Sequence, residues 1–166
     1  MNGQMIKYGV YLLLLVFSTL SHAGDLASQA EAARAEKNYR MAVVYYQRAL
    51  RETPDDTMLR LELAKSYELW GQDDKAHRIA FEVVSVDPGQ TEALLLLARI
   101  ASRAGDLTNA EAYLRQVIDN DPGHIEAKTA LVGILNALGR RIEANRLARE
   151  GEQSVEYGTS AQDLQR

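Results

Sequence analysis

The sequence predicts an all-α fold, an α-solenoid of about four helix-turn-helix units, and three spacings carry that prediction. The prolines, Pro54, Pro88 and Pro122, stand 34 residues apart. An alanine precedes each by 12 residues, at Ala42, Ala76 and Ala110, and the column continues at Ala144, where Glu156 replaces the next proline. Gly71, Gly105 and Gly139 each fall five residues before an alanine of that column. Between these markers the apolar residues recur at helical spacing, as in Leu94, Leu97, Ala98 and Ala101.

The first element is a leader over residues 1–23. Lys7 precedes the apolar run Val10–Phe17, which is too short to span a bilayer comfortably. Ser21 and Ala23 then place small residues at the two positions that a signal peptidase reads. The expectation is a signal peptide cut after Ala23 and a periplasmic or secreted protein; the alternative is an inner-membrane anchor formed by an uncleaved N-terminus. The chain contains no cysteine, which excludes a lipid-anchored lipoprotein, a disulfide framework and thiolate chemistry.

The repeats follow, over about 24–56, 57–90, 91–124 and 125–155, each expected to be two helices. The first helix of a unit ends near the glycine, which relieves the left-handed conformation common after a helix C-terminus. The second ends before the proline, and Pro88-Gly89 and Pro122-Gly123 turn the chain into the next unit. A second column of mostly small residues, Ala30, Ala64, Ala98 and Val132, lies 12 before the first column. Helices that cross closely have no room for a large side chain at the crossing, so Ala64 is expected to face Ala76. The opening helix, with Ala27, Ala30, Glu31, Ala33 and Arg34, reads as a thin cap. The closing helix, from Arg141 to about Ser154, departs from the pattern at Ala148 and Gly151 and reads as a polar end cap. Residues 156–166 offer little to bury and read as a flexible tail.

This pattern resembles the tetratricopeptide repeat (TPR) over about residues 24–155. The second repeat carries it in Leu63-Ala64, Tyr67, Gly71, Ala76 and Pro88. The first has Ala42, Tyr46, Ala49-Leu50 and Pro54; the third has Leu97-Ala98, Gly105, Ala110, Leu114 and Pro122; the fourth has Leu131, Leu135, Gly139 and Ala144. The resemblance implies a right-handed solenoid whose first helices line a concave groove. The groove positions here are Glu31 and Arg34; Met58, Leu61, Lys65, Glu68 and Leu69; Glu92, Leu95, Arg99, Ser102 and Arg103; Glu126, Thr129 and Asn136. Met58, Leu61, Leu69 and Leu95 form an apolar floor, some of it exposed, while Lys65, Arg99 and Arg103 form a basic side. Such a surface suits an amphipathic helix or an extended peptide bearing a carboxylate. Family members that clamp a chaperone's C-terminal carboxylate use lysine and asparagine in the first repeat, where this chain has Ala27 and Glu31.

Composition narrows the remaining classes. Of 166 residues, 46% are hydrophobic and 25% charged, which is globular, and the net charge of −4 argues against nucleic acid as a partner. His77 and His124 are too far apart for a helical zinc pair. Asp119-Asn120-Asp121 followed by Gly123 lacks the glycine and glutamate spacing of a calcium loop, since His124 and Ala130 stand there. Ser66, Ser85 and Ser102 sit in helices without a nucleophile motif. Tyr39, Tyr45, Tyr46, Tyr67 and Tyr113 read mostly as core residues with hydroxyls at the edge. No metal, cofactor, small-molecule substrate or catalytic residue is expected. The reading is a protein-interaction scaffold holding a segment of an envelope protein during assembly or secretion of a pilus, secretion or outer-membrane system. The rival is a self-associating subunit, closed as a homodimer by its exposed leucines.

Overall fold

The computed structural model describes residues 24–150, which form eight α-helices and no strand. They are α1 (24–35), α2 (Tyr39–Glu52), α3 (Thr57–Leu69), α4 (Asp73–Val86), α5 (Thr91–Arg103), α6 (Leu107–Asn120), α7 (Ile125–Ala137) and α8 (141–150). The leader, the last residues of the closing helix and the tail lie outside the described residues. The chain forms two compact units, one ending at Ile79 and the other beginning at Ala80, so α4 contributes to both.

Helix ends repeat the same hydrogen bonds. After α3, the Gly71 N–H donates to the Glu68 carbonyl at 2.9 Å and the Gln72 N–H to the Tyr67 carbonyl at 2.9 Å. This is the paired closure that satisfies the orphan carbonyls of a helix end, and it requires a left-handed residue. Gly71, Gly105 and Gly139 supply it with φ of +76°, +79° and +77°. The first repeat uses Lys37 in the same column, at φ +60°, with Lys37 N–H to Arg34 and Asn38 N–H to Ala33 completing the closure.

The turns between repeats have a different chemistry. Pro88 follows Asp87 in a turn closed by the Gln90 N–H on the Asp87 carbonyl at 3.1 Å, and Pro122 does the same between Asp121 and His124. Proline's fixed φ suits the second position of such a turn. The side chains of Asp87 and Asp121 accept from the N–H of Gly89 and Gly123. Asp121 is thereby a turn residue, and His124 caps α7 by accepting the Ala127 N–H at Nδ1.

In the first unit α2 packs on α3. Ala30, Ala42, Ala64 and Ala76 are all fully buried, together with Tyr46, and Tyr67 is nearly so. Tyr39 and Tyr45 are half-buried. Gln47 donates to the Tyr67 hydroxyl, while the Tyr67 ring stacks on Trp70 at 6.1 Å with Lys75 Nζ over both faces. In the second unit α6 packs on both α5 and α7 around Leu94, Ala98, Leu114, Val117, Leu131 and Leu135. Val132, the large member of the second column, is half-buried. α8 buries Ala144 and is braced on α6 by alternating charges: Arg115 and Arg140 each pair with both Glu111 and Glu143. Leu147 of α8 packs against the same core, while Ile142 is 90% exposed.

Three substitutions test the packing and the turns. Ala76→Leu should overpack a fully buried site and cost about 1–3 kcal/mol in denaturant unfolding. A left-handed L-residue costs about 1–2 kcal/mol, part of which glycine loses again as unfolded-state entropy, so Lys37→Gly should stabilise by up to about 1 kcal/mol. Gly71→Ala should destabilise by a similar amount through backbone strain alone, because an added Cβ there meets nothing within 4 Å.

Candidate functional site

Connections of a few residues make α6 antiparallel to both α5 and α7, so α5 and α7 run in the same direction on either side of it. These three helices wall a cleft of about 460 Å³. Its floor is Ala98, Leu107, Leu114 and Ile134; α5 supplies Leu95, Arg99, Ser102 and Arg103, and α7 supplies Glu126, Ala130, Gly133 and Ala137. The cleft exists because of what α7 lacks. At the positions where the second repeat has Glu62, Lys65 and Leu69, and the third Leu96, Arg99 and Arg103, the fourth has Ala130, Gly133 and Ala137. A Cβ added at Gly133 meets nothing within 4 Å.

Five residues of the expected groove, Leu95, Arg99, Ser102, Arg103 and Glu126, meet at this cleft, with Leu95 half-buried and the other four exposed. Asn136 is exposed but does not line it, since it stands one position before Ala137 and is turned away by about 100°. Ala130, Gly133 and Ala137 of α7, and Leu107, escaped the sequence reading, which looked for side chains that could touch a partner. The signal for them was the loss of size in the fourth repeat.

The first unit presents its expected groove residues differently. Met58 and Leu69 are 57% and 49% exposed, and Glu68 is half-buried. Leu61 corrects the expected floor, because it is fully buried. It lies three residues before Ala64 on the same face of α3, so packing that alanine covers Leu61 as well. Lys65 also differs from its expected role in a basic side: its Nζ pairs with Glu62 at 2.8 Å, and Glu62 pairs in addition with Arg34 of α1. Burial alone would raise the Glu62 carboxyl, but hydrogen bonds from Lys65 and Arg34 outweigh it and hold the group below the usual glutamate value. Beside this cluster the buried Tyr46 hydroxyl makes no hydrogen bond to the protein, and burial pushes its pKa up.

The serines are committed to the helices that carry them: Ser66 and Ser85 each donate to the carbonyl four residues earlier, at 2.8 Å. Among the described residues no helix is long and apolar enough to cross a membrane. The cleft itself offers apolar surface, two guanidinium groups and one carboxylate.

The Glu62 pairings make a pH prediction. A carboxyl whose folded pKa is depressed contributes stability above its unfolded pKa, and that contribution is lost as pH falls through the folded value. Wild type should therefore exceed Glu62→Gln in thermal stability at neutral pH. The difference should vanish on acidification below the usual glutamate range, as read by melting curves of both proteins.

Comparison with known proteins agrees with this architecture. A crystal structure of MamA superposes with a TM-score of 0.78 at 12% identity, over 88% of this chain and 85% of that one. MamA from Desulfovibrio magneticus RS-1, residue 41 to the end, gives 0.68 at 19%, over 83% and 76%. The first TPR of Spaghetti (RPAP3), bound to the HSP90 peptide SRMEEVD, gives 0.67 at 19%, over 72% and 94%. At these identities the likeness is one of fold. No curated protein matches the chain by sequence. The tetratricopeptide repeat family model matches residues 33–100 and 80–131, more than half of the chain, and with its glycine closures, proline turns and buried alanine column this protein belongs to the tetratricopeptide repeat family.

Proposed function

We propose that this protein is a non-catalytic scaffold of the bacterial envelope that holds a peptide or helix of a partner protein during assembly or secretion of an envelope complex. The observation that carries the binding role is the open cleft between α5 and α7, an apolar floor rimmed by Arg99 and Arg103. Exposed apolar surface beside charge is the usual character of a partner site. Its membership of a repeat family that binds proteins through helix faces supports the same role. The envelope assignment rests on the leader-like residues 1–23, with Lys7, the apolar run and the small residues Ser21 and Ala23.

The second reading, a self-associating subunit, is favoured by the exposure of Met58 and Leu69 on α3. Light scattering on the purified protein separates it: a stable homodimer at micromolar concentration supports that reading, and a monomer removes it.

Gly133→Leu tests the scaffold. It fills the cleft from a position open to solvent, whereas a charge at Leu61 would fall in the core. Pull-downs from envelope extracts should recover a partner with wild type and lose it with the variant. Recovery of the same partners with both would remove the cleft from the binding surface.

A further inference from the structure

The cleft has a direction as well as an apolar floor. Glu126 stands in the first turn of α7, at one end. Arg99 and Arg103 stand one turn apart in the last part of α5, and α5 and α7 run the same way, so both arginines lie toward the other end. A site with a carboxylate at one end and guanidinium groups at the other complements the dipole of a helix, whose N-terminus is positive and whose C-terminus is negative. From Glu126 to Ala137 the trough spans about 17 Å, the length of an 11- or 12-residue helix. Ala130, Gly133 and Ala137 are exposed, so the trough is open along α7. A small molecule would not reach the roughly 70–90% burial of a ligand pocket there, whereas a helix lying along it would cover the floor.

Resting on the binding role proposed above, we infer that the cleft takes a short amphipathic helix of a partner, laid parallel to α7. Large apolar side chains at i and i+3 or i+4 reach Leu107, Leu114 and Ile134. Acidic residues in the last turn of the bound helix meet Arg99 and Arg103, and its N-terminal turn faces Glu126. The small residues of α7 allow the backbone of the bound helix to come close, which the longer side chains at the same positions of α3 and α5 do not.

A library of random 14-residue peptides, selected on the full chain and sequenced, tests this. The expected consensus is an apolar pair at helical spacing followed by Asp or Glu toward the C-terminal end. Selected peptides should lose binding to Gly133→Leu, with circular dichroism showing that the variant remains helical. Arg103→Glu should weaken them by about tenfold, the scale of one lost charge-assisted contact, and should relax or reverse the acidic preference on reselection. Peptides that bind wild type and Gly133→Leu equally, or that show no acidic preference, overturn this inference while leaving peptide binding in place. Failure to enrich any peptide overturns the binding role together with it.

Discussion

The small residue buried at one fixed position of every repeat is the constraint on which the rest of the structure depends. Ala42, Ala76, Ala110 and Ala144 are each fully buried, one per repeat, with no solvent-accessible surface left. A methyl group at that point lets one helix approach its neighbour closely enough for the flanking large residues to interdigitate. The larger apolar residues Tyr46, Leu114 and Val117 owe their burial to that approach. The small residue contributes little apolar area of its own; its value is the space it leaves for its neighbours.

Packing of this kind is useful only if the chain delivers both helices to it, and the turns do so with two separate chemistries. Inside a repeat, a left-handed residue reverses the chain with both closing hydrogen bonds made, and Lys37 adopts that conformation in the first repeat as the glycines do in the others. Between repeats, proline and an aspartate side chain build a turn that ends in the cap of the next helix, through Gln90 or His124. Each joint satisfies its own polar groups, so the packed faces can be almost wholly apolar.

With the scaffold set in this way, the surfaces of the first helices are free to differ from repeat to repeat. Where α3 carries Glu62 and Lys65, charges are held among themselves, Glu62 taking both Lys65 and Arg34. Where α7 carries Ala130 and Gly133, the side chains at those positions are too small to fill the space, and the cleft beside them stays open among the described residues. The same repeat position thus acts as an internal tie in one place and lines an open cleft in another.

The sequence by itself determined the helices, their ends and the column of buried alanines. Those features are set by local conformation and by a period repeated along the chain: a glycine that must be left-handed, a proline that must begin a turn, a small residue at a position that is buried in every repeat. It also brought Leu95, Arg99, Ser102 and Arg103 to notice, since they lie between the core positions of one helix. Only the tertiary structure decided that Leu61 is covered while Met58 and Leu69 are exposed, that Lys65 is tied to Glu62, and that Ala130, Gly133 and Ala137 open a cleft. The physical reason is that exposure and vacancy are properties of neighbouring helices taken together. A residue's own spacing records which face of its helix it occupies, while the size and charge of the side chains opposite settle whether that face is filled, paired or left open.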